Sequence, residues 1–134
     1  MPDSYDFAVR RNDPRVSAVL TIPDAGDIEL SPGQVLLRVD NFSITANNVT
    51  YAAMGDAMDY WKFFPGEEGF GRIPVWGYSE VARSNSDDVE VGKRIYGYMP
   101  MSTHFVVEPV NVSDSGFVDG LSHRVELPAI YNRY

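Results

Sequence analysis

Residues 72–110 read RIPVWGYSEVARSNSDDVEVGKRIYGYMPMSTHFVVEPV, and the way this stretch divides decides the fold. Val75 to Arg83 is rich in β-branched and aromatic residues and reads as a strand. SNSDD at 84–88 is a tight connection of turn-forming side chains. VGKRIYGYMP at 91–100 and STHFVVEPVNV at 102–112 give two further strands. Gly77 allows a kink or a close backbone approach. Gly97, between Tyr96 and Tyr98, fits a bulge or a bend.

Moving toward the N-terminus, PGEEGFGRIP at 65–74 is a loop. GQVLLRVDNFSI at 33–44 alternates Val35, Leu37 and Val39 with Leu36, Arg38 and Asp40, mostly the period of a half-buried strand. Thr45 or Asn47 can cap a helix over roughly 47–54, ended by Gly55. A second helical turn spans 57–63 and stops at Pro65-Gly66. RVSAVLTI at 15–22 reads as a strand, and turns follow at 23–27 and 31–33. The first dozen residues are polar and are expected to fray. The tail, 113–134, is expected to be irregular. Short strands with turn signals roughly every eight to twelve residues and one helical excursion predict a mostly-β single domain over 1–134. Its expected form is a partly open β-barrel with one or two short helices.

The chain has 134 residues, long enough for one domain with a real core. It has no cysteine, which excludes disulfides, thiolate metal sites and cysteine nucleophiles. Net charge is −8 and the eleven basic residues are scattered, which argues against a nucleic-acid partner. No window approaches the apolar run of a membrane span, and no apolar signal core opens the chain, so the expected address is the cytoplasm.

The densest chemistry lies at 46–65, ANNVTYAAMGDAMDYWKFFP. Asn48 offers a donor and an acceptor and Tyr51 a hydroxyl, which together could hold a ligand carbonyl. The plainer reading has Asn47 and Asn48 capping the helix while Tyr51 packs. Tyr60, Trp61, Phe63 and Phe64 are either core or the flat apolar wall of a site for an aromatic ligand. Glu67-Glu68 is a solvated loop or a carboxylate pair. His104 is a plain histidine unless Ser102 meets its ring in space.

Taken in order, PGQVLLRV (32–39), FSITANNVTYAAMGD (42–56), RIPVWGYSEVARSNSDDVEVGKRIYGY (72–98) and STHFVVEPV (102–110) resemble the GroES-like N-terminal domain of medium-chain dehydrogenase/reductases. In that family a "GEVLVRV" strand, an Asn- and Asp-bearing helix, a "P-x-x-G-x-E" strand, a "V-G-D-R-V" strand and an "A-E-Y-V-V-V-P" strand follow one another. The zinc-binding branch carries Cys and His where this chain has Ile44-Thr45-Ala46-Asn47 and Gly77-Tyr78-Ser79. The chain therefore resembles the zinc-free, quinone-oxidoreductase-like branch. The resemblance implies that Thr45, Asn48 and Tyr51 face a substrate cleft. Trp76 and Tyr78 would lie near the old metal position, where Tyr78 either donates a proton or fills the space. Family members continue into a Rossmann domain, and Gly66 to Gly71 lack the G-x-G-x-x-G spacing.

The expected function is thus the substrate-binding half of a zinc-free quinone or enone reductase, binding a small apolar or aromatic carbonyl compound. No cofactor is expected on this chain alone, and NADPH would enter only with a partner Rossmann domain. The alternatives are a cofactor-independent isomerase, dehydratase or cyclase using Asn48, Tyr51 and Tyr78, and a non-catalytic homodimeric ligand-binding module.

Overall fold

The computed structural model describes residues 3–134. It is mostly β. In chain order the strands are β1 (Tyr5–Arg10), β2 (Asp13–Thr21), β3 (Val35–Ser43), β4 (Phe70–Gly71), β5 (Pro74–Ser84), β6 (Arg94–Pro100), β7 (His104–Val107), β8 (Pro109–Ser113) and β9 (Gly116–Asp119). One α-helix, α1 (Ala46–Ala53), follows β3, and short 3-10 turns lie at Ala25–Asp27, Tyr60–Lys62 and Ala129–Asn132.

The strands form three antiparallel sheets with orders β2-β1-β4, β6-β5-β3-β7 and β8-β9, and none of them closes on itself into a barrel. Position in the sheet explains the burial. Val35, Leu36 and Leu37 are all buried because β3 is central, flanked by β5 and β7. β5 buries Val75, Ser79 and Val81 on one face while Tyr78 on the other stays exposed. The core lies beneath this sheet, where Val35, Leu37, Val75, Val81 and Phe105 meet Phe63 and Phe117.

Gly77 is a close backbone approach. A Cβ there would lie 2.1 Å from the Asn41 carbonyl oxygen and 2.6 Å from Phe42 Cα. The β3–β5 register shifts between Val39 and Asn41, beside this contact. Gly97 does not bulge, because the β5–β6 ladder runs in register through Gly77 opposite Gly97. Its missing side chain instead admits the Tyr134 ring, 2.4 Å from where a Cβ would sit.

Four local expectations need correction. Of the stretch expected to fray, residues 1 and 2 lie outside the described residues, and Tyr5–Arg10 is β1, paired with both β2 and β4. Its alternation is hidden by polar residues, but Asp6, Ala8 and Val9 are buried. The loop at 65–74 contains β4, which extends the β1 sheet. The tail contains the second strand of the β8–β9 hairpin, and Tyr134 pairs with Phe117 through two backbone hydrogen bonds of 2.8 and 2.9 Å. The second helical segment shrinks to the turn at Tyr60–Lys62, entered through Asp59 at a positive φ of 60°.

Candidate functional site

Five aromatic rings surround Tyr98 on β6. Its ring centroid lies 4.7 Å from Tyr131, 5.0 Å from Trp76, 5.2 Å from Phe63, 5.5 Å from Tyr51 and 5.9 Å from Phe64. Tyr60 joins through Tyr51 at 4.7 Å and Tyr131 at 6.1 Å. Tyr98 is fully buried, and its hydroxyl, beside the Tyr51 phenol, has no hydrogen-bond partner within 3.5 Å among the described residues. A buried polar atom without a partner costs free energy, and this hydroxyl is one of three such side-chain atoms among the described residues, with Trp61 Nε1 and His104 Nε2.

Three segments bring the rings together. The first is α1, which carries Tyr51. Thr45 Oγ1 accepts from the Asn47 amide at 3.2 Å, and Asn48 Oδ1 accepts from the Thr45 amide at 2.6 Å. These bonds satisfy amides that a helix start leaves unpaired. Asn48 Nδ2 then donates to the Pro74 carbonyl at 3.0 Å, tying the helix to the start of β5. Trp76 Nε1 donates to Tyr51 Oη at 3.3 Å.

The second segment is the turn at Tyr60–Lys62 with the two residues after it, which supplies Tyr60, Phe63 and Phe64. Arg72 braces it by donating to the carbonyls of Phe64 at 3.1 Å and Pro65 at 2.7 Å.

The third is the C-terminal strap, residues 120–134 after β9, held by Arg124. This side chain is buried and donates to Asn132 Oδ1 at 2.8 Å, Asp119 Oδ2 at 3.1 Å, Tyr134 Oη at 3.0 Å and the Tyr131 carbonyl at 2.7 Å. Its guanidinium lies 4.9 Å from the Phe64 ring centroid and 5.5 Å from that of Phe63. Tyr134 Oη donates to the Tyr98 carbonyl. Sequence reasoning passed over Arg124, Tyr98, Tyr131 and Tyr134 as site residues. The aromatic YNRY close was the only signal for the last two, and Arg124 carried none.

The surroundings of Tyr98, Tyr131 and Tyr134 keep these three phenols protonated. Burial, and then the neighbouring Tyr51, Tyr131 and Tyr60 phenols, push Tyr98 far above the usual tyrosine range. The Tyr60 hydroxyl beside it, and then burial, push Tyr131 up to about 12. Burial raises Tyr134 as well. At neutral pH Tyr98, Tyr131 and Tyr134 are therefore neutral hydroxyls, suited to a neutral acceptor and unsuited to proton abstraction.

The residues singled out from the sequence separate in space. Tyr51, Tyr60, Phe64 and Trp76 gather around Tyr98 and its neighbours. Thr45 and Asn48 are occupied in capping, with both polar atoms of the Asn48 amide already bonded. Trp61 packs on Val9, Ala52 and Ile73 in a second cluster, its buried Nε1 without a partner. Tyr78 stands on the outer surface, 42% exposed, with Tyr96 at 5.0 Å and the Arg94 guanidinium 4.7 Å over its ring. Asn48, Tyr51 and Tyr78 therefore do not converge on one point.

Ser102 does not meet the His104 ring. Its Oγ donates to Asp6 and contacts the His104 carbonyl at 3.0 Å, while His104 Nδ1 lies 3.1 Å from Thr103 Oγ1. Glu67 and Glu68 are exposed. Gly71 serves packing, because a Cβ there would lie 2.4 Å from the Trp61 ring. Among the described residues no group of three or more His, Asp or Glu side chains is placed to hold a metal ion. Nor is any helix among them long and apolar enough to cross a membrane.

The helix, the turn and the strap that build the cluster all fall within residues 42–134, and this span matches a family model described as "Protein of unknown function (DUF2855)". The chain belongs to that family. The matched span holds every ring around Tyr98, whereas β1, β2 and most of β3 precede it. Among curated proteins nothing matches.

Proposed function

We propose that this chain is the ligand-holding half of a zinc-free, quinone- or enone-reductase-like protein with a GroES-like domain, and that it binds a small apolar carbonyl compound at the tyrosine cluster. The observation that carries the reading is the Tyr98 hydroxyl, fully buried, protonated and unpartnered among aromatic rings. A carbonyl oxygen is the acceptor such a donor lacks, and flat rings suit an unsaturated or aromatic body. Tyr131 is half-buried, and in this reading it is the ring that a ligand would pass to reach Tyr98. The resemblance in motif order supports the same assignment.

The glycines at 66–71 sit in a loop and a packed strand rather than at a helix start, so these residues form no pyrophosphate cradle. In this reading NADPH belongs to a separate nucleotide-binding domain, and this chain's part is to bind and orient the carbonyl. A proton-moving set of Asn48, Tyr51 and Tyr78 is not carried forward, since the three do not meet.

The test is equilibrium binding of 1,4-naphthoquinone and 2-cyclohexenone to the wild type and to Tyr98→Phe. Loss of one hydrogen bond should weaken binding by about tenfold, roughly 1.4 kcal/mol. The melting temperature should hold or rise, because the variant also removes an unpaired buried hydroxyl. Equal affinity in the variant, or no binding to the wild type, would sink the reading.

A further inference from the structure

On the far side of the strap, an open cleft of about 690 Å³ lies between the first residues of β6 and the β8–β9 hairpin. That volume falls in the range of small-molecule sites, roughly 300–1,000 Å³. Its floor is apolar: Val89 and Phe117 are buried, and Ile95, Val112 and Tyr134 are half-buried. The Phe117 and Tyr134 rings stack at 5.5 Å and 21°. Tyr134 turns its hydroxyl away, toward Arg124 and the Tyr98 carbonyl, so its phenol is not available to the cleft.

The rim carries charges of both signs on two loops, the β5–β6 connection with Asp88 and Lys93 and the β8–β9 hairpin with Asp114. Lys93 leaves a rigid turn in which Gly92 adopts φ of 93° and donates to the Val81 carbonyl at 2.8 Å, while the Lys93 carbonyl accepts from the Val81 amide at 2.9 Å. No carboxylate among the described residues lies within 4.0 Å of its ammonium. Arg94 is different, being held by Asp40 at 2.6 Å and laid over Tyr78. Asp114 sits at the tip of the β8–β9 hairpin. Asp88 sits in the connection after β5, where its amide donates to Ser86 Oγ at 3.2 Å. Neither aspartate is paired with a Lys or Arg among the described residues.

We propose that this cleft is a binding site for an apolar α-amino acid, whose carboxylate meets Lys93, whose ammonium meets Asp88 and Asp114, and whose side chain lies on the Phe117–Tyr134 floor. A neutral apolar ligand would leave the rim unused, and a simple anion would face two aspartates. A zwitterion with an oily side chain complements the unpaired charges of the rim and the apolar floor together, through charge-assisted hydrogen bonds at one end and apolar burial at the other. This site is independent of the tyrosine cluster and stands or falls separately from it.

Calorimetric titration with three probes tests the proposal: L-phenylalanine, 3-phenylpropionate, which lacks the ammonium, and phenethylamine, which lacks the carboxylate. The wild type should bind phenylalanine about tenfold more tightly than either truncated probe. Lys93→Met should erase the advantage over phenethylamine, and Asp88→Asn with Asp114→Asn should erase the advantage over 3-phenylpropionate. Amide chemical-shift changes should centre on Lys93 and the β8–β9 hairpin. All three substitutions are at exposed positions, and thermal melting checks that both variants fold. No phenylalanine binding at millimolar concentration, equal affinity for the three probes, or variants that keep the wild-type preference would each overturn the proposal.

Discussion

Arg124 shows how one side chain can organise a segment whose own regular structure is a single 3-10 turn. Its side chain is 1% exposed and its partner carboxylate on Asp119 is fully buried. Burial pushes the Asp119 carboxyl up, while two backbone amides, Glu108 at 2.9 Å and Leu121 at 3.1 Å, and the guanidinium pull it back. Two charges in a dry interior survive only when each is satisfied, and here every guanidinium nitrogen has a partner. Removing one partner strands the other. Arg124→Met should cost about 3–5 kcal/mol in urea unfolding. Arg124→Met combined with Asp119→Asn should cost clearly less than the sum of the single changes, because the two groups are one unit. A strap held this way keeps Tyr131 and Tyr134 against Tyr98, so the same loss should free the tyrosine cluster before the strands.

At the scale of elements, the approach of β3 to β5 sets the shape of the sheet. The bulge near Asn41 and the bare Gly77 allow two backbones to sit closer than any side chain permits. Gly77→Ala places a methyl 2.1 Å from a backbone oxygen that cannot move without breaking ladder bonds, so a loss of about 3 kcal/mol is expected. Gly26→Ala is the matched control. Nothing lies within 4 Å of its added methyl, and its effect should stay within about 0.5 kcal/mol. Both are read from denaturant midpoints. The helix start was legible in advance, because Thr45 and Asn48 cap it through bonds spanning only three residues. The role of Gly77 was legible too, since a glycine inside a β-branched run has few other uses. The seat of Gly97 was not, because the ring that fills its space comes from Tyr134, far along the chain.

Across the whole molecule, the β1 sheet and the β3–β5 sheet meet along a polar seam. Phe7 donates to the Met101 carbonyl at 2.8 Å and Thr103 to the Tyr5 carbonyl at 3.0 Å. Asp6 accepts from Ser102 and, at 3.2 Å, from Arg72. His104 is buried in this seam with Nε2 unpartnered. Burial lowers its pKa, and the pull of the Pro23 carbonyl and the Asp6 and Asp24 carboxylates only partly offsets this, with Arg72 adding to the lowering. A histidine depressed in the folded state binds protons more readily when unfolded. Stability should therefore be full above the unfolded value, about 6.5, and fall as the pH drops below it. Urea midpoints should decline from pH 7.5 to 5.5 in the wild type, and the decline over that window should flatten in His104→Gln. A wild-type midpoint that rises on acidification would contradict the assignment.

Short-range physics is what the sequence determined by itself. The alternation of Val75 to Arg83, the capped helix after Ser43, the turns at Pro and Gly and the absence of cysteine follow from neighbours a few residues apart, and together they make the chain mostly β. Tertiary structure alone decided that Trp61 turns to Val9 while Tyr60 and Phe64 turn to the tyrosine cluster, although the three lie within five residues of one another. It also decided that a polar N-terminus becomes β1 and that an unremarkable arginine becomes the centre of the strap. Those outcomes depend on partners tens of residues away, Tyr98 with Tyr51 and Tyr131, β1 with Met101, and no local period encodes such a meeting. Only closing the chain on itself, where buried hydroxyls and charges must find or lack a partner, brings them together.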